Sequence, residues 1–185
     1  SLPWLGGQRL LPWMMESLAA NGWQPLVVTG PEYFDSWSRE LGGERVALNP
    51  HPEAGKTTSL AAGISRLPAR AEWILLTSVD QPRLPGLYLR LRRAVPPPGG
   101  QTLVVPDWAG RRGHPVVLAA SLLPELRALD EDSRGLRGFL DRHDSELMRM
   151  PGEPPGSLDW DVNTPEAYQK ALAYFREPLA AAPKI

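Results

Sequence analysis

The stretch WILLTSVDQPRLP at residues 73–85 joins a near-continuous apolar run to an abrupt stop. Such a run is typical of a strand buried on both faces, as in sheets that helices cover on each side. Pro82 cannot continue the ladder and disfavours a helix at Gln81, so the chain turns just after Asp80. Ligands of open α/β sheets bind beyond the carboxyl ends of the strands, which makes Asp80 a candidate ligand-binding group. An aspartate that merely caps the turn fits this stretch equally well.

Strand-like and helix-like patterns alternate along the rest of the chain. Apolar residues at helical spacing predict helices at residues 8–22, 32–41, 57–67, 84–94, 134–143 and 164–175. Short apolar runs predict strands at residues 25–30, 45–50, 73–79, 102–106, 114–120 and 158–163. Thr57 or Thr58 is the predicted N-cap of the third helix. Successive strand–helix units predict a single α/β domain with a mostly parallel sheet.

Composition excludes several classes of protein. The 185 residues carry a net charge of −1, which argues against a nucleic-acid-binding or membrane-surface protein held by bulk charge. The sequence has no cysteine, so a thiolate nucleophile, a cysteine-bound zinc and a disulfide scaffold are excluded. No apolar run reaches the length of a membrane-spanning helix. The sequence therefore predicts a cytoplasmic globular protein.

A second polar segment, LDWDVNTPEAY at residues 158–168, favours the ligand-binding interpretation of Asp80. Asp159, Asp161 and Asn163 follow one another at intervals of two, so on a strand all three point to one face. Thr164 as N-cap, with proline and glutamate directly after it, predicts a helix start. The alternative is that Asn163 or Thr164 only caps this helix and the aspartates are solvated.

Oxygen-bearing side chains on neighbouring loop ends suit Mg²⁺, which often takes one or two protein groups together with substrate phosphates. Zinc is disfavoured because the histidines are scattered and cysteine is absent. Among the three histidines, His114 lies between glycine and proline and is the one expected to be functional. His51 and His143 are expected to be ordinary surface residues.

The motifs together resemble a known family. LPWLGGQRLL, NPHPEAGKTTSLAAGI, LLTSVDQPRL, GRRGHPVVL and LDWDVNTPEAY occur in the order found in the MobA-like nucleotidyltransferases. Within that family the chain most closely resembles the molybdenum cofactor cytidylyltransferases, over residues 2–173. The resemblance implies one domain over residues 1–185, a Rossmann-like three-layer sandwich of the nucleotide-diphospho-sugar transferase type. It also implies Mg²⁺-dependent transfer of a nucleotide from CTP or GTP to the terminal phosphate of molybdopterin, with release of pyrophosphate.

The resemblance also implies roles for the acidic segments. Asp80 matches the aspartate of the family's DQP motif and is expected to bind Mg²⁺. The family's closing motif is often Asp-Ile-Asp-Thr-Pro, and its metal-side position is Asn163 here. Asn163 offers a carbonyl oxygen but one negative charge fewer, so Asp161 or Asp159 is expected to compensate. Asp80 and Asn163 are therefore the predicted catalytic pair.

Substrate-binding residues follow from the same resemblance. Three residues match the segment that approaches the base and ribose of the nucleotide: Asn49, Gly55 and Ser59. Gly113 and His114 match the loop near the cofactor-side substrate. Arg112 is suited to an anionic phosphate because its planar fork matches phosphate oxygens, whereas Arg111 and Lys56 are expected to be solvated.

Family members open with a glycine-rich loop of the form Leu-Ala-Ala-Gly-x-Ser-x-Arg-Met-Gly and then a lysine, which hold the triphosphate. That loop and the first strand fall upstream of Ser1. One hypothesis is that they belong to the intact protein, and the other is a non-catalytic nucleotide-binding or cofactor-delivery relative. A guanylyltransferase, or a transferase for another small metabolite, is the alternative within the enzymes. The expected partners are CTP or GTP, molybdopterin, and a molybdoenzyme or its chaperone, with neither nucleic acid nor membrane.

Overall fold

The computed structural model describes residues 2–97, 100–108, 110–130, 132, 134–151 and 161–181. The helices in this part of the chain are α1 (Leu10–Ala20), α2 (Pro31–Leu41), α3 (Lys56–Ser65), α4 (Pro85–Ala94), α5 (Leu123–Arg127), α6 (Gly135–Arg142) and α7 (Pro165–Ala181). The strands are β1 (Val27–Thr29), β2 (Val46–Leu48), β3 (Trp73–Leu76), β4 (Leu103–Trp108), β5 (Arg111–Arg112), β6 (Val116–Ala119) and β7 (Leu147–Pro151). Short 3-10 turns connect several of these elements.

The strands form a mixed arrangement rather than a purely parallel sheet. β1 and β2 pair in parallel as a two-stranded unit. The larger sheet has the order β3-β6-β4-β5, and β7 pairs with β4. β6 is antiparallel to both of its neighbours, and β4 and β7 are parallel. The short hairpin between β4 and β5 explains the reversal, because it turns the chain back so that β6 returns beside β4.

Alternate residues of the central strands point to opposite faces, which creates two apolar layers. One face of the sheet packs against α3, α5 and α6 through Ile64, Ile74, Leu103, Val105, Val116, Leu118, Leu126 and Phe139. The other face packs against α4 through Leu87, Leu91, Val104 and Val117. The alternation places helices on both sides of the sheet, so the predicted three-layer α/β class is confirmed.

A separate aromatic cluster packs against α7. Trp4 lies with its ring centroid 5.4 Å from that of Phe175, and Trp13 contacts Phe175 at 5.4 Å in an edge-to-face arrangement. Val162, just before α7, is 5% exposed and belongs to the same cluster. Burial of Val162 therefore fixes the segment that leads into α7.

Several local predictions fail in instructive ways. Asp161–Asn163 is a turn and not the end of a strand. Residues 158–160 of the predicted strand, which include Asp159, lie outside the described residues. The N-cap of α3 is Gly55 and neither Thr57 nor Thr58. Helix α5 and strand β7 were not predicted from the sequence. β7 is short, and it becomes a strand through its parallel pairing with β4.

Candidate active site

Asp80 lies in the loop that leaves the carboxyl end of β3. Its main-chain oxygen accepts a hydrogen bond of 2.7 Å from the amide of Val162, which brings the segment before α7 against this loop. Two residues that lie 80 positions apart are joined beside it: Gln81 Nε2 donates to Asp161 Oδ1 over 2.6 Å. The predicted proximity of Asp80 to the Asp161–Asn163 segment therefore has a structural basis in these two bonds.

The Asp161–Asn163 turn is tight. The Asn163 amide donates to the Asp161 main-chain oxygen over 2.7 Å, a contact that closes a turn of three residues. Thr164 then caps α7, because its hydroxyl accepts a bond of 3.2 Å from the Ala167 amide. This cap was predicted and is confirmed. Asn163 itself is exposed and Asp161 is half-buried, so both oxygen-bearing side chains lie at the surface of the same turn.

Four buried polar atoms in this region have no hydrogen-bond partner among the described residues. They are Thr77 Oγ1, Asp80 Oδ1, Gln81 Oε1 and His114 Nδ1. Native proteins pair nearly all buried polar groups, so each exception calls for an explanation. All four come from the loop after β3 or the turn before β6, which are neighbours because β3 and β6 pair. This concentration is typical of a ligand-binding site.

The turn that precedes β6 is held from two sides. The Gly113 amide donates to the main-chain oxygen of Pro106 in β4 over 2.8 Å. Arg83 Nε donates to the main-chain oxygen of His114 over 3.0 Å. The bond between His114 and Pro115 is a cis peptide. Gly113 and His114, both predicted from the sequence, are therefore placed at the same edge of the sheet as Asp80.

His114 is expected to be neutral near pH 7. Burial lowers the pKa of its imidazole, and the positive charge of Arg83 lowers it further, while Asp161 and Asp80 act in the opposite direction. Lys56 also lowers this pKa, so its charge lies within electrostatic reach of His114 although its side chain is exposed. A neutral imidazole has one nitrogen that donates a hydrogen bond and one that accepts.

A second group of predicted residues surrounds the start of α3. Asn49 is 1% exposed, and its side-chain amide donates to Thr58 Oγ1 and Ser59 Oγ, each over 2.9 Å. Asn49 Oδ1 accepts from the His51 amide over 3.0 Å. Gly55 has a φ of 108°, a left-handed conformation that favours glycine, and is the N-cap of α3. Asn49 is therefore a buried anchor that joins the loop after β2 to Thr58 and Ser59 in the first turn of α3, directly after Gly55.

Arg112 is engaged elsewhere. Its guanidinium pairs with the carboxylate of Asp141 and lies 3.6 Å from Asp144 Oδ1. Arg149 extends the same surface network by bonds of 2.8 Å to Asp107 and to Asp144. Two carboxylates already neutralise Arg112, so a phosphate would have to compete with them.

His143 is not an ordinary surface residue, so that prediction is wrong. Its side chain is 14% exposed and bridges Glu125 at 2.7 Å and Glu146 at 2.9 Å. Burial opposes the charged imidazole, but the hydrogen bonds that the ring donates to the carboxylates of Glu146 and Glu125 outweigh it and raise the pKa of His143. This bridge ties α5 to the end of α6 and is structural. His51, with 70% of its side chain exposed, fits the surface prediction.

Comparison with known proteins identifies the family. Residues 1–147 match the model of the MobA-like NTP transferase domain. The chain belongs to this family. A comparison with curated proteins found no significant match.

Solved structures share the fold at low sequence identity. Rv0371c from Mycobacterium tuberculosis H37Rv, in complex with manganese, has a TM-score of 0.67 and 22% identity, covering 92% of this chain and 90% of that one. A nucleotidyl transferase from Methanothermobacter thermautotrophicus (Mth528) has a TM-score of 0.74 and 20% identity, covering 94% and 83%. Molybdopterin-guanine dinucleotide biosynthesis protein A from Archaeoglobus fulgidus has a TM-score of 0.56 and 18% identity, covering 94% and 89%. The likeness confirms the predicted nucleotide-diphospho-sugar transferase type of fold.

The donor set of this MobA-like domain fits a hard divalent cation. Asp80 offers a buried carboxylate oxygen that no described residue occupies, and Asp161 and Asn163 lie on the adjoining turn. Within the described ranges, no three or more histidine, cysteine, aspartate or glutamate side chains form a metal-binding group. Mg²⁺ and similar ions need only one or two protein oxygens when phosphates and waters complete the shell, so this sparse set suffices.

Gln81 and Arg83 are the residues that sequence reasoning missed. Both follow Asp80 within three positions, and both make the contacts that join the loop after β3 to other segments. The only sequence signal was their place inside the DQPR stretch. Neither a glutamine nor an arginine in a proline-rich loop reveals from sequence that it is directed inward.

In the part of the chain that the structure describes, no helix is both long and apolar enough to cross a membrane.

Proposed function

We propose that this domain transfers CMP from CTP to the terminal phosphate of molybdopterin, with release of pyrophosphate. Membership of the MobA-like family supports nucleotidyl transfer, and the GHPVV stretch before and within β6 favours the cytidylyl branch. The observation that carries the proposal is the buried free oxygen of Asp80, held beside the Asp161–Asn163 turn at one edge of the sheet.

In this proposal Asp80 would hold Mg²⁺ together with Asn163, and Asp161 would supply the charge that Asn163 lacks. Mg²⁺, when bound, neutralises phosphate charge and orients the phosphates for in-line attack. Asp161 Oδ1 already accepts from Gln81, so its other oxygen, Oδ2, is the one that remains for the cation or a bound water. Manganese in the complex of Rv0371c is consistent with a divalent cation in this fold.

The other residues bind and orient the substrates. We assign Asn49, Gly55 and Ser59 to the base and ribose of the nucleotide, since the buried Asn49 holds the segment before α3 against the first turn of that helix. His114 would donate or accept a hydrogen bond at the phosphate-rich centre as a neutral imidazole. Gly113 supplies the close backbone approach before it. Lys56 adds positive charge at the first residue of α3.

Arg112 would bind a phosphate on the molybdopterin side by exchanging Asp141 for the substrate at its guanidinium. The remaining partners follow from the proposed reaction. They are molybdopterin as acceptor and, for delivery of the product, a molybdoenzyme or its chaperone in the cytoplasm.

A guanylyltransferase is the second candidate. The observation that favours it is the shared fold of the molybdopterin-guanine dinucleotide biosynthesis protein A from Archaeoglobus fulgidus. A nucleotide-binding or cofactor-delivery relative without catalysis remains the third.

Release of pyrophosphate from CTP and from GTP, measured with molybdopterin and either Mg²⁺ or Mn²⁺, tests these alternatives. We expect turnover with CTP, and we expect Asp80→Asn to abolish it without changing the circular dichroism spectrum. Asp35→Asn, an exposed carboxylate on α2, is the matched control and should retain turnover. Turnover with GTP alone selects the guanylyltransferase, and nucleotide binding without any pyrophosphate release selects the non-catalytic relative. Unchanged turnover in Asp80→Asn removes Asp80 from the site.

A further inference from the structure

Arg83 is a fully buried cation in the loop that carries Asp80. Its side chain is 1% exposed, although arginine is among the residues least often buried. Arg83 Nε donates to the His114 main-chain oxygen over 3.0 Å, and Arg83 Nη1 donates to the Pro82 main-chain oxygen over 2.8 Å. The guanidinium therefore spans two segments that approach each other at the edge of the sheet.

Stability alone is a poor explanation for this arginine. Removing a charge from water is costly, and buried charged groups can often be replaced by apolar groups of similar volume without loss of stability. A methionine at position 83 would fill much of the same space with no charge to desolvate. The presence of arginine instead indicates that its fixed hydrogen bonds, rather than its volume, are what the site uses.

The antiparallel pairing of β3 and β6 determines what Arg83 can reach. Leu76 pairs with Val116, so the loop that leaves β3 faces the turn that enters β6. The turn has one further anchor, the bond of 2.8 Å from the Gly113 amide to Pro106. The Gly113 amide is bonded to β4 and the His114 carbonyl is bonded to Arg83. The main chain of this dipeptide is therefore fixed at both ends.

A fixed main chain fixes the direction in which the His114 side chain leaves it. The imidazole Nδ1 is buried and has no partner among the described residues, in the same region as the free atoms of Asp80 and Gln81. We propose that Arg83 is a positioning residue that acts through His114, holding the imidazole where it meets the substrate phosphates. This role rests on the proposed nucleotidyl transfer, because it assigns His114 a contact with substrate.

A double-mutant cycle in the full chain separates positioning from simple structural support. Arg83→Met, His114→Ala and the double variant are compared by kcat and KM for CTP, and Arg93→Met, on the exposed side of α4, is the matched control. We expect Arg83→Met to lower kcat/KM by about tenfold or more, the size of effect that loss of a charged hydrogen bond gives. If Arg83 acts through His114, adding Arg83→Met to His114→Ala should cost less than about twofold.

Additive losses in the cycle overturn the proposal, since they show that Arg83 acts independently of the imidazole. Arg83→Lys keeps the charge but loses the planar fork, and it provides the same cycle if Arg83→Met does not fold. In either case the urea midpoint of the variant is measured, so that a loss of folded protein is not mistaken for a loss of positioning.

A measurement that does not depend on enzyme turnover tests the positioning role of Arg83 separately from the proposed function. The chain has three histidines, so the imidazole signals in a nuclear magnetic resonance spectrum can be assigned with one variant each. We expect the His114 signals to shift and broaden in Arg83→Met while those of His51 and His143 stay in place. Unchanged His114 signals refute the positioning role. Absence of CTP turnover in the wild type together with shifted His114 signals refutes the proposed function and leaves the structural link intact.

Discussion

Replacement of Gln81 by leucine should loosen the turn that faces Asp80. The Gln81 amide is the only side-chain donor that the described residues offer to Asp161 Oδ1, at 2.6 Å. Leucine has a similar volume and cannot donate, so the substitution removes the bond without opening a large space. The Asp161–Asn163 turn would then rely on the Val162 amide, which donates to Asp80, and on the burial of Val162.

The size of the effect follows from the kind of bond that is lost. A hydrogen bond to a charged group contributes about 1.5–3 kcal/mol, and the lower end applies because Gln81 and Asp161 are only half-buried. A loss of about 1.5 kcal/mol corresponds to roughly a tenfold change in an equilibrium constant. For a chain of this length it also lowers Tm by about 3–6 °C. We do not expect nucleotide binding to be abolished, because the hydrogen bond from the Val162 amide and the burial of Val162 still hold the turn.

Calorimetric titration of the protein with CTP in the presence of Mn²⁺ measures the predicted change. Gln81→Leu should raise the Kd about tenfold, and a thermal scan should show the lower Tm. Gln169→Leu, on the exposed face of α7, controls for an added apolar side chain and should change neither quantity. Wild-type affinity and wild-type Tm in Gln81→Leu would show that the turn does not depend on this bond.

Three further outcomes are expected. Asn163→Asp adds a negative charge on the turn that adjoins Asp80 and should tighten Mn²⁺ binding roughly tenfold in a titration; unchanged binding would place Asn163 outside the cation site. His143→Gln should cost about 1–2 kcal/mol in urea unfolding near pH 6. Because the pKa of His143 is raised, its contribution to stability is complete below the ordinary pKa of 6.5 and is lost as pH rises through the raised pKa. The pKa values of Glu125 and Glu146 are lowered, so their contributions to stability are lost as pH falls below about 4.5. A stability difference between the wild type and His143→Gln that grows towards pH 9 contradicts this pH dependence. Phe139→Ala, at a side chain that is 0% exposed, should lower the free energy of unfolding by about 3–5 kcal/mol, and a loss under about 1 kcal/mol would contradict the packing.

The layered fold was predictable because its signals are local. An apolar run such as residues 73–76 has few places to lie except inside a sheet that is covered on both faces. Helix α6 was also found, because its apolar residues recur at helical spacing. β7 could not be found in this way, since Leu147–Pro151 is a strand only through its pairing with β4. Pairing of this kind depends on distant parts of the chain, which a local pattern does not contain.

The acidic residues of the candidate site could be predicted from the sequence, whereas the residues that hold its loops in place could not. A carboxylate after a buried strand is visible in the sequence, and Asp80 was found by that signal. The expected strand through Asp161 and Asn163 was wrong because the Val162 amide bonds to Asp80 and not to a neighbouring strand. Gln81 and Arg83 were missed because side-chain direction in a loop depends on what packs against it. The spacing of apolar residues in a sequence does not reveal the direction of a loop side chain.

The reversal of β6 explains why His114 lies close to the loop that carries Asp80. His114 comes before its strand, whereas Asp80 comes after its own. If β6 ran parallel to β3, residues before β6 would lie at the opposite edge of the sheet, a strand's length away from Asp80. Because the hairpin between β4 and β5 turns the chain, the amino end of β6 lies at the carboxyl end of β3, with Val116 opposite Leu76. The rule that ligands bind at the carboxyl ends of parallel strands predicts Asp80 as a candidate, and the reversed strand β6 brings to the same end of the sheet a turn that the rule would have placed at the other end.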